Sequence, residues 1–215
     1  MFNIHMARVP WNPAARALAL DALAKLYKGI APDRLSEITG MREQDIVDAN
    51  RILSFPKDIV SRCLREGQPD YLRPSNLIEM AKALEQMEEY LPEFFKEFDK
   101  EEVMRIYVNK RDKRIIRRNT DFRLIKDILS SLPAQRAQKL IVRTLREPDT
   151  GIADVYELVE DQIMSKRFDL FKKACTKFLS ILQGLDPRAL DKTSKKHSNL
   201  LLRRIRDTID HKMQD

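Results

Sequence analysis

Apolar residues recur along this chain at intervals of three and four, while strict alternation of apolar and polar positions is hard to find. That pattern predicts helices from one end to the other. An Ala- and Leu-rich segment behind Pro13 predicts a first helix over 13–28. Pro32, Leu35 and Ile38 predict a short helix, and Ile46, Ala49 and Leu53 form the apolar stripe of the next, which Pro56 stops. Further helices follow at 57–66 and 74–90, the second with Leu77, Met80, Ala81, Leu84 and Met87 on one face. Beyond Leu91 and Pro92 the pattern predicts helices near 99–110, 121–131, 133–146, 152–164, 166–184 and 193–212. Clear turns lie at 148–151 and 184–187. The expected fold class is all-α, with a first domain over 1–90 and a second over 91–215.

The stretch from Ile30 to Pro56 has the layout of a helix-turn-helix. Ser36 is small enough for the second helix to cross closely over the first. Gly40 stands where the chain must turn with positive φ, and Met41 plugs the core beneath it. The outward face of the second helix is then Glu43, Gln44, Val47, Asp48 and Arg51, with Arg42 at its mouth. In a DNA reader those side chains meet base edges in the major groove. The same spacing also serves a plain helical hairpin within an α-bundle.

Residues 30–56 lie without a gap on the pattern of the central helix-turn-helix domain of ParB-type partition proteins, matching in kind at Leu35, Gly40, Ile46, Arg51, Ile52, Leu53 and Pro56. The flanks extend the similarity. Asn3-Ile4-His5 and Trp11-Asn12-Pro13 resemble the family's lead-in, and Arg65-Glu66-Gly67 and Leu72 to Leu77 resemble its downstream motifs. The chain therefore resembles that family over residues 2–85. The resemblance implies a double-stranded DNA partner, a homodimer on paired half-sites, and a role in plasmid or chromosome partition or in transcriptional control. It implies a cytoplasmic location on nucleoid or plasmid, with a partition or regulatory protein as a further partner. It places Arg42, Gln44, Val47, Asp48 and Arg51 at the bases, and Arg73, Ser75 and Asn76 where the family grips the DNA backbone.

This sequence also departs from the family. Met41-Arg42-Glu43 replaces Lys-Ser-Arg after the glycine, Asp48 replaces an asparagine, and Asn76 a histidine. Glu43 and Asp48 put two carboxylates on the face meant for phosphates, which repel them. A protein-interaction module built on a degenerate helix-turn-helix, with an acidic docking face, is the competing expectation. The family's N-terminal nucleotide-binding motif has no counterpart, so nucleotide hydrolysis is not expected.

Charge shifts attention to the second half. Residues 1–90 carry 12 Lys and Arg against 13 Asp and Glu, whereas residues 91–215 carry 28 against 20. A basic surface attracts polyanions without sequence preference. One cluster comprises Arg105, Lys110, Arg111, Lys113, Arg114, Arg117 and Arg118, followed by Arg123 and Lys126, with Tyr107 and Phe122 interleaved. It reads as a phosphate-tracking surface or as a solvated helix face with Ile115 and Ile116 tucked inward. A second cluster, Lys192, Lys195, Lys196, His197, Arg203, Arg204 and Arg206, rides on a helix whose Leu201, Ile205 and Ile209 form a core or dimer seam.

No enzyme signature stands out in the sequence. His5, His197 and His211 are scattered, no Cys or second His stands at zinc-ligand spacing, and there is no Gly-rich phosphate loop. No catalytic residue, metal or cofactor is expected. Cys63 and Cys175 sit within helical patterns and read as buried thiols. No apolar run approaches the roughly 18 residues of a membrane span, so no membrane partner is expected.

Overall fold

The structure, a computed structural model, describes residues 12–26, 32–184, 197, 199–200 and 202–207. Asn3-Ile4-His5, Trp11, Lys192, Lys195, Lys196, Leu201 and Ile209 lie outside the described residues. The chain divides into two compact units, Met1–Met164 and Ser165–Asp215. Among the described residues all regular structure is helical, with no strand.

In the first unit, α1 (Pro13–Leu26) is tied down at its start by one side chain. Asn12 Oδ1 accepts the Ala14 N–H at 2.8 Å, and Asn12 Nδ2 donates to the Cys63 carbonyl at 2.8 Å. The buried face of α1 is Ala14, Ala17, Leu20 and Leu23, and the two alanines let α3 approach closely. The hairpin is α2 (Pro32–Thr39) and α3 (Glu43–Leu53). Gly40 turns between them at φ +69°. Three hydrogen bonds lock the corner: Ser36 Oγ to the Met41 carbonyl, Thr39 Oγ1 to the Leu35 carbonyl, and the Met41 N–H to Thr39 Oγ1. The buried stripe of α3 is Ile46, Ala49 and Ile52, where Leu53 had been expected; Leu53 is only partly buried. The third contact of a stripe falls six or seven residues on, and the crossing with α1 and α5 selects the former.

After α4 (Lys57–Arg62) comes α5 (Pro74–Tyr90), the central helix of the unit. All five apolar residues of its expected face are buried, and so are Asn76, Glu79 and Ala83 on other faces. The reason is that α5 packs on α3 on one side and on later elements on the other. The later elements are α6 (Phe94–Glu97), α7 (Lys100–Asp112), a 3-10 turn (Asn119–Phe122), α8 (Arg123–Ser131), α9 (Ala134–Arg146) and α10 (Ile152–Glu157), of which α6, the 3-10 turn and α8 pack against α5. The expected domain boundary at 90/91 therefore falls inside the first compact unit, which needs both halves to cover α5.

Buried aromatic residues join the later elements. Phe94 stacks on Phe98 at 4.7 Å between ring centres. Tyr107 meets Phe122 edge-on at 5.7 Å, and its hydroxyl lies 3.1 Å from Thr144 Oγ1. Asp99 Oδ1 caps α7 by accepting the Glu102 N–H at 2.8 Å. Cys63 is fully buried and burial pushes its thiol up to about 11; Cys175 is half-buried, and both are free thiols.

The helix expected over 152–164 divides into α10 and the start of α11 (Glu160–Gly184), which runs on without a break through the helix expected over 166–184. Within the second unit its Phe168, Leu170, Phe171 and Leu179 are exposed, as are His197, Arg203, Arg204 and Arg206. No described helix is long and apolar enough to cross a membrane.

Candidate nucleic-acid interface

The hairpin leaves part of α3 open. Glu43, Gln44, Val47, Asn50 and Ser54 are exposed along one side, with Arg42 exposed at the start. Their charge is not what a phosphate-facing helix needs. Arg42 is drawn onto Asp45 by two 3.0 Å bonds, and that guanidinium holds the Asp45 carboxyl below its usual range. Gln44 Nε2 donates to Asp48 Oδ1 at 3.1 Å. Arg51, expected at base edges, is occupied inside the fold: it donates twice to Glu85 of α5 and once to Asp48. Its side chain is only 18% exposed. A helix that leans on α5 turns its C-terminal outward residues toward that neighbour, so Arg51 becomes a strut.

The basic cluster of residues 105–126 separates into inward and outward groups. Lys110 is 4% exposed, and its ammonium donates to the carbonyls of Glu147, Pro148 and Thr150. It joins the end of α7 to the turn after α9 and reaches no surface ligand. Burial is the main influence on its pKa and lowers it. Arg105 is held by Asp58 and Glu101, and Arg123 by Glu79. Arg111 is half-buried; it donates to the Ile116 and Arg117 carbonyls while its Nε has no partner. Lys113, Arg114, Arg117 and Arg118 are exposed and, among the described residues, carry no ion pair. Asp121 shapes their loop by accepting the Arg117 and Arg118 backbone N–H groups.

Two groups of residues that are distant in sequence meet in an open cleft of about 670 Å³. Arg73 and Asn76, from the start of α5, face Arg111 and Arg114, from the end of α7. Tyr71 and Leu72 supply an apolar wall. Asp112 and Asp70 also line it, but Arg62 holds the first at 2.7 Å and Arg65 holds the second at 2.8 Å. Asn76 is 5% exposed. Arg114 has φ +59°, a left-handed conformation that costs a non-glycine residue about 1–2 kcal/mol. Ser75 points outward beside this cleft as an exposed residue. Nothing in the local sequence marks Tyr71 or Arg62 as lining residues; only the arrival of α7 beside α5 makes them so. Among the described residues no cluster of His, Cys, Asp and Glu is arranged to hold a metal ion.

No family model, no curated protein and no solved structure matches the chain.

Proposed function

We propose that this chain is a DNA-binding protein of the ParB-like helix-turn-helix type that works as a homodimer and makes most of its contacts with backbone phosphates. The observation that supports this most is the loop after α7. Among the described residues Lys113, Arg114, Arg117 and Arg118 are exposed with no acidic side-chain partner, whereas the neighbouring Arg105 and Arg123 are neutralised by carboxylates. Unpaired cations on one loop are suited to displacing counterions from a phosphate backbone. The exposed start of α3, Arg42, Gln44 and Val47, is left to face the bases, with Arg51 removed from that set. Partition or transcriptional control of a replicating element follows from the family resemblance.

The test is duplex binding at two salt concentrations, then selection of preferred sites from a random pool. A salt-sensitive affinity with an enriched palindrome is expected. Arg117→Ala should weaken binding to every sequence and reduce the salt slope by about one. Gln44→Ala should blunt the sequence preference instead. Absence of binding at low salt would overturn the reading.

A specific observation favours a second reading, that of a protein-interaction module. With Arg51 spent on Glu85 and Asp48, the open side of α3 keeps the exposed carboxylate of Glu43 and no free cation beyond Arg42's pair with Asp45. Under this reading the native chain binds no duplex, and the double variant Glu43→Arg, Asp48→Asn gains DNA affinity.

A further inference from the structure

We infer that the cleft between the start of α5 and the end of α7 is a seat for a phosphate monoester, the terminal phosphate of a nucleotide or of a nucleic-acid end. The walls supply the charge. Arg73 and Arg114 are exposed and have no ion pair among the described residues, and Arg111 adds its charge to the wall while its Nη1 donates to the Ile116 and Arg117 carbonyls. The neighbouring acids do not oppose an anion at full strength. Asp112 is gripped by Arg62 through bonds of 2.7 and 3.1 Å, and Asp70 by Arg65.

Asn76 makes this more than a basic surface. It is 95% buried, lines the cleft, and its side-chain amide has no hydrogen-bond partner among the described residues. The amide keeps contact with solvent through the cleft, so a ligand oxygen would take the place of water there. The N-terminus of α5 opens at the same place: Pro74 carries no N–H and the Asn76 N–H donates to the Arg73 carbonyl at 2.9 Å, but no side chain caps the end. The helix dipole favours an anion there.

The depth of Asn76 selects the kind of phosphate. A phosphodiester within a duplex rides on exposed groups such as Lys113 and Arg117 and cannot sink to a residue that is 5% exposed. A terminal phosphate can enter end-on, and it brings three free oxygens and a second charge to meet three guanidinium groups and an amide. The volume, about 670 Å³, lies within the roughly 300–1,000 Å³ typical of small-molecule sites. Arg114 fits the same account. Its left-handed backbone is a position where glycine is the default, and an arginine there places its charge at the cleft.

The site stands apart from the duplex-binding reading and is tested separately. The full chain is titrated by calorimetry with inorganic phosphate, AMP and adenosine, and with duplexes that do or do not carry a 5′ phosphate. AMP should bind at least tenfold tighter than adenosine. Phosphate alone matching AMP would identify the free ion as ligand, and a preference for the 5′-phosphorylated duplex would identify a nucleic-acid end; both support the seat. Arg114→Gly and Arg73→Gln should each lose about tenfold. Arg114→Gly should melt no lower than the native chain, so its loss cannot be attributed to misfolding. Equal binding of AMP and adenosine, or no response to any phosphate, overturns the inference, as does an Arg114→Gly variant with native affinity. Duplex binding indifferent to the 5′ phosphate, with no AMP binding, would overturn it while leaving the DNA-binding reading intact.

Discussion

Arg51 in the second helix of the hairpin and Glu85 on the central helix form two parallel hydrogen bonds, each 2.8 Å long. The pair spans 34 residues of sequence and fixes how α3 leans on α5. The guanidinium's third bond, to Asp48 at 2.9 Å, ties in the carboxylate that otherwise faces outward. Arg51→Ala should therefore lower stability by about 1–2 kcal/mol, the usual worth of charge-assisted bonds with one partner still half exposed. Arg51→Lys should recover little, since an ammonium cannot reproduce the fork. Urea denaturation checks both. A native unfolding midpoint for Arg51→Ala would remove the strut.

Lys110 and Lys113 sit three residues apart and should behave differently toward DNA. Lys110 donates to three backbone carbonyls and is 4% exposed, whereas Lys113 is exposed. Lys110→Met should leave the salt dependence of duplex binding unchanged, and Lys113→Met should flatten it. Affinity measured over a range of salt concentrations distinguishes them. A flattened slope for Lys110→Met would mean that its ammonium reaches phosphate.

Glu79 contributes a pH dependence. It is 8% exposed, accepts from Arg123 Nε at 2.7 Å and from Lys82 Nζ at 3.1 Å, and the Arg123 bond leads in holding its carboxyl below the ordinary 4.5. A depressed carboxyl stabilises the fold above its unfolded value, and that contribution is lost as pH falls through the folded value. Glu79→Gln should thus cost about 1 kcal/mol at pH 7, a modest figure because Arg123 is largely exposed. The gap between variant and native melting temperatures should narrow as pH falls below about 4.5. A gap independent of pH would show that the ion pair is not what the carboxylate supplies.

Gly151 is required by space, not by φ, which is an ordinary −91°. A Cβ there would lie 2.9 Å from the Ile115 carbonyl oxygen, a backbone atom that cannot swing away. Gly151→Ala should destabilise by about 1–3 kcal/mol, in the range of core overpacking. Because Ile115 follows Arg114, it should also disturb the loop that carries Arg117 and Arg118. Thermal melting reads the first effect and duplex affinity the second. A variant that melts like the native chain would show that the loop gives way freely.

Much of the helical framework was legible in the sequence, because its signals are local. A stripe at three- and four-residue spacing, a proline at a helix start and a glycine at a turn act within about one turn of helix. So α1, the hairpin with Gly40 at φ +69°, α5, α8 and α9 stand close to where the pattern put them. The local signal failed where two helices met without a breaker, and α11 runs through 165 as one helix. It failed also at residue 90, because α5 is apolar enough on several faces to serve two neighbours, and one stripe does not reveal the second.

What an arginine or lysine is for could not be read locally. Its own residue type supplies a charge; the tertiary fold decides whether a carboxylate or carbonyl from elsewhere takes it up. Glu85 reaches Arg51 and Glu147 reaches Lys110 only because distant helices pack together, while among the described residues no carboxylate pairs with the Arg73 or Arg114 side chain. Periodicity in the sequence determined that the chain is helical and which faces are apolar. Packing between helices far apart in sequence decided which cations are struts, which remain free, and that Arg73, Asn76, Arg111 and Arg114 share one cleft.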